Sequence, residues 1–213
     1  NTINNSLANR FRRKRIKIFE RFISDLPVPV RILDIGGTEN FWLQMGFNEK
    51  SDFRITIANI EDINVTGGNI SFIKADARDI SGIEDSKFDV IFSNSVIEHV
   101  GGIYDMRKMA EGIRNMNVRY MVQTPNFYFP VEPHFQFPCF QFLPRFVQLF
   151  LLMNFNLGWY RKCSNKTEAN DLVDTIHLLK LSELKRLFPG SVIYKEKILG
   201  LVKSFIAYGP ACK

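Results

Sequence analysis

From Arg31 to Gly209 the chain alternates short apolar runs with helical stretches, and this alternation restricts its fold more than any other feature. The runs are RILDI (31–35), RITIAN (54–59), ISFIKA (70–75), FDVIFSN (88–94), RYMVQT (119–124), SVIYKEKI (191–198) and VKSFIAYG (202–209). Strands separated by helices predict a parallel sheet, because each crossover must carry the chain back to the starting edge. The continuous apolar character of ILDI and DVIF fits central strands covered on both faces. The last two runs alternate more and are parted by Leu199 and Gly200, which predicts a C-terminal antiparallel hairpin. Helices are expected over 7–25, 104–116 and 182–188, the last with Ser182 as N-cap and Pro189 with Gly190 as the stop. The expectation is an α/β fold with a seven-stranded, mostly parallel sheet and helices on both faces.

One stretch breaks the alternation. Residues 126–170 contain Pro130, Pro133, Pro138 and Pro144 among nine Phe between Phe127 and Phe155, a density no regular central element tolerates. It reads as a Phe/Pro-rich insert after the fifth strand, laid over the strand ends where open α/β sheets bind ligands. With 213 residues, 46% hydrophobic and 23% charged, the chain suits one domain (1–213) and excludes a disordered one.

Charge is local. RFRRKRIKIFER (10–21) carries seven Lys or Arg against Glu20, which accounts for the whole net charge of +6. Within the basic N-terminal segment 1–28 it reads as a helix with Phe11, Ile18, Phe19, Phe22 and Ile23 turned to the body. Its alternative use is to meet nucleic acid or anionic lipid. In FQFLPRFVQLFLLMNFNLGWYRK (140–162), Phe146, Leu149, Phe150 and Met153 fall at helical spacing, as either a packed helix or an amphipathic lid that touches a membrane. No apolar run approaches the ~20 residues needed to span a bilayer. Nothing at the start reads as a signal peptide, and Cys139, Cys163 and Cys212 are too widely spaced for a disulfide framework or close-paired metal ligands. The expected setting is the cytoplasm, with peripheral contact at the membrane face, and no metal is expected.

The sharpest local signal is ILDIGGTENFW (32–42). A buried strand ends at Asp34, and Gly36 with Gly37 allow a ligand to approach the backbone. The third glycine of a dinucleotide site is missing, since Asn40 stands there, and no P-loop lysine follows. A carboxylate beside two glycines suits a cationic or zwitterionic ligand.

Together with KADARDI (74–80) and FDVIFSNSVIEHV (88–100), this motif resembles the class I S-adenosylmethionine-dependent methyltransferases, in particular the small bacterial methyltransferase-domain group, over roughly residues 30–208. The resemblance implies a Rossmann-like sheet and S-adenosylmethionine as cofactor, with S-adenosylhomocysteine as product. It implies that Asp34, Gly36 and Gly37 hold the methionine part, that Asp76 and Ala77 meet the adenine, and that Asn94 and Ser95 flank the sulfonium. Asn59 stands where the family's ribose-binding acid is usual, with Glu61 on the same side of an extended chain, and Thr38 replaces the second glycine of the family's Gly-x-Gly.

Methyl transfer disperses the positive charge of a sulfonium, so a dry aromatic pocket favours it, and a hydroxyl acceptor needs a base. Of three histidines, His134 with Glu132 in EPHFQFP is the preferred pair and His99 the second choice, while His177 reads as a helix-entry residue. The expected function is methylation, at oxygen, of a small or lipid-linked acceptor such as a sugar or quinone-like hydroxyl. Two alternatives stand beside it: an inactive binding or scaffold protein, and an RNA methyltransferase guided by the basic helix. Nucleic acid is disfavoured by SNSVI (93–97), which lacks an Asn-Pro-Pro-Tyr type motif.

Overall fold

The computed structural model describes residues 7–47 and 50–209. Cys212 lies outside them. The elements follow the order α1 (Leu7–Phe22), β1 (Val30–Ile35), α2 (Glu39–Gln44), β2 (Phe53–Asn59), β3 (Ile70–Lys74), β4 (Val90–Asn94), α3 (Ile103–Asn115) and β5 (Arg119–Pro125). The chain continues through β6 (Val131–Glu132), β7 (Phe137–Pro138), α4 (Arg145–Asn154), α5 (Lys166–Asp174), α6 (Leu181–Leu187), β8 (Val192–Ile198) and β9 (Leu201–Gly209). Seven strands form one sheet in the order β3-β2-β1-β4-β5-β9-β8. The parallel pairs set Asp34 against Ile57 and Phe92, whereas β8 and β9 pair antiparallel from Val192 with Tyr208 to Ile198 with Leu201. Strand order reverses between β1 and β4, so the crevice rule places a ligand at their carboxyl ends.

The chain packs as two compact units. The first comprises residues 1–94, 112–121 and 209–213; the second comprises 95–111 and 122–208. In the first, β1 reads as a nearly unbroken apolar run because Ile32, Leu33 and Ile35 are all fully buried. Trp42 on α2 is 0% exposed and forms the centre of an aromatic cluster, with ring centroids 5.1 Å from Phe47, 5.2 Å from Phe92 and 6.3 Å from Phe19. Edge contacts of this kind add about 0.5–1.5 kcal/mol each beyond area burial. α1 buries Ile16, Phe19 and Ile23, in keeping with an amphipathic helix, but Arg15 is buried beside them.

In the second unit the aromatic segment folds rather than dangles. β6 and β7 pair antiparallel, and Phe135, Phe140, Leu149, Leu152 and Leu157 form a separate apolar core. α4 faces differently from the expected stripe. Gln148, Leu149 and Leu152 point inward, while Phe146 is 73% and Phe150 59% exposed. The Gln148 amide donates to the Phe140 carbonyl at 2.9 Å, and this internal bond rotates the helix away from the purely apolar solution. α6 also starts one residue early. Its cap is at Lys180, whose N–H donates to Glu183 Oε2 at 2.7 Å, and Ser182 lies inside the helix.

Candidate active site

Asp34 is the penultimate residue of β1 and is 1% exposed. Its Oδ2 accepts a 2.6 Å bond from Trp42 Nε1, while Oδ1 is buried with no hydrogen-bond partner. Burial pushes its carboxyl up to about 7 against the smaller, opposing effect of the Trp42 bond. A buried carboxylate oxygen with no donor is costly, and an incoming ammonium group would satisfy it. Gly36 then turns the chain at φ +72°, and a Cβ on Gly37 would lie 1.6 Å from Asp34 Oδ2. Glycine is required at position 37 for the carboxylate to keep its place.

These residues line a cleft with Phe41, Phe92 and Asn94. Asn94 closes β4, and its Oδ1 accepts a 2.7 Å bond from Arg15. Arg12 also lines the cleft; burial and the neighbouring Arg15 hold its guanidinium below the ordinary value. Asn59 Nδ2 donates to the Gly37 carbonyl at 3.1 Å, and its Oδ1 accepts from the Glu61 N–H, so the end of β2 is tied to the glycine turn. Glu61 itself is exposed.

Asp76 and Ala77 follow β3. Asp76 holds Arg78 in a two-pronged ion pair, with contacts at 2.5 and 3.0 Å, and borders a different cleft, along β3. The first unit thus gathers Asp34, Gly36, Gly37 and Asn94 around one cleft, with Asn59 tied to its rim. Arg12, Arg15 and Trp42 were absent from the expected set. Arg12 and Arg15 sit three apart in the basic run, on one helix face, which is the one signal that could have marked them.

In the second unit, Ser95 adopts φ +56° and its hydroxyl donates to Gln123 Oε1 at 2.8 Å. Glu98 is 0% exposed; its Oε2 accepts from Thr124 Oγ1 at 2.9 Å and its carbonyl from the His177 N–H at 2.8 Å. His177 thus serves the local fold. His134 Nδ1 lies 2.7 Å from Glu132 Oε1, and Glu132 Oε2 accepts from the N–H groups of His134 and Phe135. The His99 and His134 rings meet edge to face with centroids 4.7 Å apart. His99 is pushed down to about 4 by desolvation of its ring and by repulsion from His134, although the residue retains solvent access. Gly158 supports this corner at φ +54°: a Cβ there would meet the His134 carbonyl at 2.3 Å. Beside the pair lies a cleft of about 560 Å³ lined by Phe127, Phe135, Phe140 and Ile176, with Glu132 and Gln141 as polar groups.

The arrangement offers a pocket for a ligand bearing an ammonium group and, separately, a buried carboxylate–imidazole pair beside an aromatic cleft. Residues 52–116 match the family described as methyltransferase domain. No curated protein matches the chain by sequence. Among solved structures, the CurJ carbon methyltransferase superposes with a TM-score of 0.62 at 13% identity, over 98% of this chain and 56% of that one. The N-terminal domain of EvdMO1, crystallised in the presence of SAH and D-fucose, gives 0.57 at 13% identity, over 94% and 83%. A SAM-dependent methyltransferase from Aquifex aeolicus gives 0.53 at 12%, over 92% and 89%. The chain thus has the fold of these methyltransferase structures, and residues 52–116 within it match the methyltransferase domain.

Proposed function

We propose that the chain is an S-adenosylmethionine-dependent methyltransferase that methylates a hydroxyl oxygen of a small or lipid-linked acceptor, a sugar or a quinone-like ring. The observation that carries this reading is the Glu132–His134 pair at the edge of an aromatic cleft. S-adenosylmethionine supplies a methyl group on positively charged sulfur. Asp34 Oδ1 is the acceptor for the cofactor's ammonium, and Gly36 and Gly37 admit its amino-acid end to the backbone. Asn59 and Glu61 serve the ribose, Asp76 and Ala77 the adenine, and Asn94 and Ser95 the sulfur.

On the acceptor side, Glu132 fixes His134 with Nδ1 engaged and leaves the Nε2 lone pair to receive the hydroxyl proton. The His99 ring meets the His134 ring edge to face. Phe127, Phe135 and Phe140 give the acceptor cleft an apolar aromatic wall. A sugar acceptor agrees with the D-fucose present with EvdMO1. A lipid-linked acceptor agrees with exposed Phe146, Phe150, Phe155 and Trp159, an aromatic surface suited to peripheral contact with a bilayer. The test is transfer of a labelled methyl group to a panel of sugar, phenol and polyprenyl-linked hydroxyls. Oxygen-methylated product that is lost in His134→Ala supports the reading; methylation at carbon or nitrogen refutes it.

An inactive, ligand-binding role is favoured by one observation, that Asn94 and Asp76 are already engaged by Arg15 and Arg78. Calorimetry showing S-adenosylhomocysteine binding, with no turnover on any acceptor of the panel, would select it.

A further inference from the structure

We infer that Glu98, His99 and His134 form a site for a divalent transition-metal cation of the Zn²⁺ or Co²⁺ kind. The three residues offer one ligand atom each, and these atoms all lie within 4.8 Å of one another. Cysteine spacing gave no hint of it, because the ligands come from the turn after β4 and from the β6–β7 hairpin.

Each ligand is held by its surroundings. The Glu98 carboxylate is fully buried and oriented by Thr124, and its backbone is pinned by the His177 N–H. His134 has Nδ1 against Glu132 Oε1, and two backbone N–H groups anchor that carboxylate. A carboxylate on the far nitrogen fixes the tautomer and raises the basicity of the ligating one, an arrangement that recurs behind metal-bound imidazoles. Gly158 closes the other side, with the Trp159 N–H donating to the His134 carbonyl at 3.2 Å. His99 is exposed, so a cation has a way in.

A cation about 2.0–2.1 Å from each atom needs ligands about 3.4 Å apart, a contraction of at most about 1.4 Å from the 4.8 Å bound, which side-chain torsions supply. Two imidazoles with one carboxylate select a borderline transition metal over Mg²⁺ or Ca²⁺, and three protein ligands leave open positions. The site rests on the acceptor-side reading only for its use. In the metal-bound form the cation replaces the proton on the Nε2 lone pair, an acceptor hydroxyl binds an open position, its O–H bond breaks with the pair staying on oxygen, and the proton leaves to a solvent molecule at the exposed His99 side and not to His134.

The test titrates Co²⁺ into tag-free, chelator-stripped protein with neither cofactor nor acceptor present, so that failure of the acceptor reading leaves the result intact. The expected result is a visible absorption band stronger than that of aqueous Co²⁺, displaced by Zn²⁺ and not by Mg²⁺. His99→Ala, at an exposed position that leaves folding intact by circular dichroism, should weaken Co²⁺ at least tenfold. Glu132→Gln should weaken it by about ten- to a hundredfold while leaving all three ligands in place. A wild-type spectrum equal to the aqueous ion, an affinity unchanged in His99→Ala, or a band abolished by Cys139→Ser would overturn the assignment.

Discussion

Replacing Asp34 by Asn tests the cofactor cleft at its most strained group. The amide keeps an oxygen to accept the Trp42 Nε1–H and removes the ionisable proton. In the wild type the folded carboxyl sits at about 7, well above the ordinary carboxylate range, because burial penalises its charge. The fold therefore binds the protonated form. Its contribution is fully present below about pH 4 and is lost as pH rises through about 7, since the unfolded chain ionises over that interval and the folded one does not. A difference of about three units at 1.36 kcal/mol each is on the order of 4 kcal/mol. Urea unfolding of both proteins from pH 4.5 to 8, without cofactor, reads this directly. Other titrations cancel in the difference, so the variant should gain on the wild type by several kcal/mol across the range. A difference that stays flat refutes a buried, destabilised carboxyl at the tip of β1. The same logic requires S-adenosylhomocysteine to expel close to one proton per molecule when it binds the wild type at pH 6 and none when it binds Asp34→Asn, measured calorimetrically in two buffers.

Gly37→Ala drives a methyl group into Asp34 Oδ2 and should reduce S-adenosylhomocysteine affinity at least tenfold; full affinity would place the ligand elsewhere. His134→Ala and Glu132→Gln should lower kcat by about 10²–10⁴-fold with cofactor affinity unchanged, the range for loss of acid–base assistance. Gly158→Ala forces the loop off the His134 carbonyl and should cost about 1–3 kcal/mol of stability together with kcat, and equal stability would show that the loop yields freely. Phe146→Ser with Phe150→Ser should abolish co-sedimentation with anionic vesicles without changing the melting temperature, because both side chains are already exposed.

The strands were legible because burial on two faces leaves continuous apolar runs, and RILDI, FDVIFSN and RYMVQT fall on β1, β4 and β5. The glycine turn was legible for a similar reason, since few residues tolerate the backbone there. What the sequence concealed is long-range polar pairing. Arg15 reaches Asn94 across 79 positions, and in a run of seven cations only its spacing of three from Arg12 sets it apart from its neighbours. On α4, the spacing of Phe146 and Phe150 fitted either a packed face or an exposed lid; both are exposed, and Gln148 turns inward to meet the Phe140 carbonyl. Pattern reading weighs apolar surface and misses such obligations of the backbone. The pairing of His134 with Glu132 was visible because they are two residues apart, whereas its meeting with His99 depended on how the intervening chain returns.

The placement of Arg12 and Arg15 gives α1 a wall of the cleft as well as a share of the packing. A truncation that starts at Val30 would retain every strand and the glycine turn in sequence, yet it would remove that guanidinium wall and release the Asn94 amide to rotate. Shortened versions designed around the sheet alone would also strip Phe19 from Trp42 and Phe92 and open the aromatic cluster beneath the cleft.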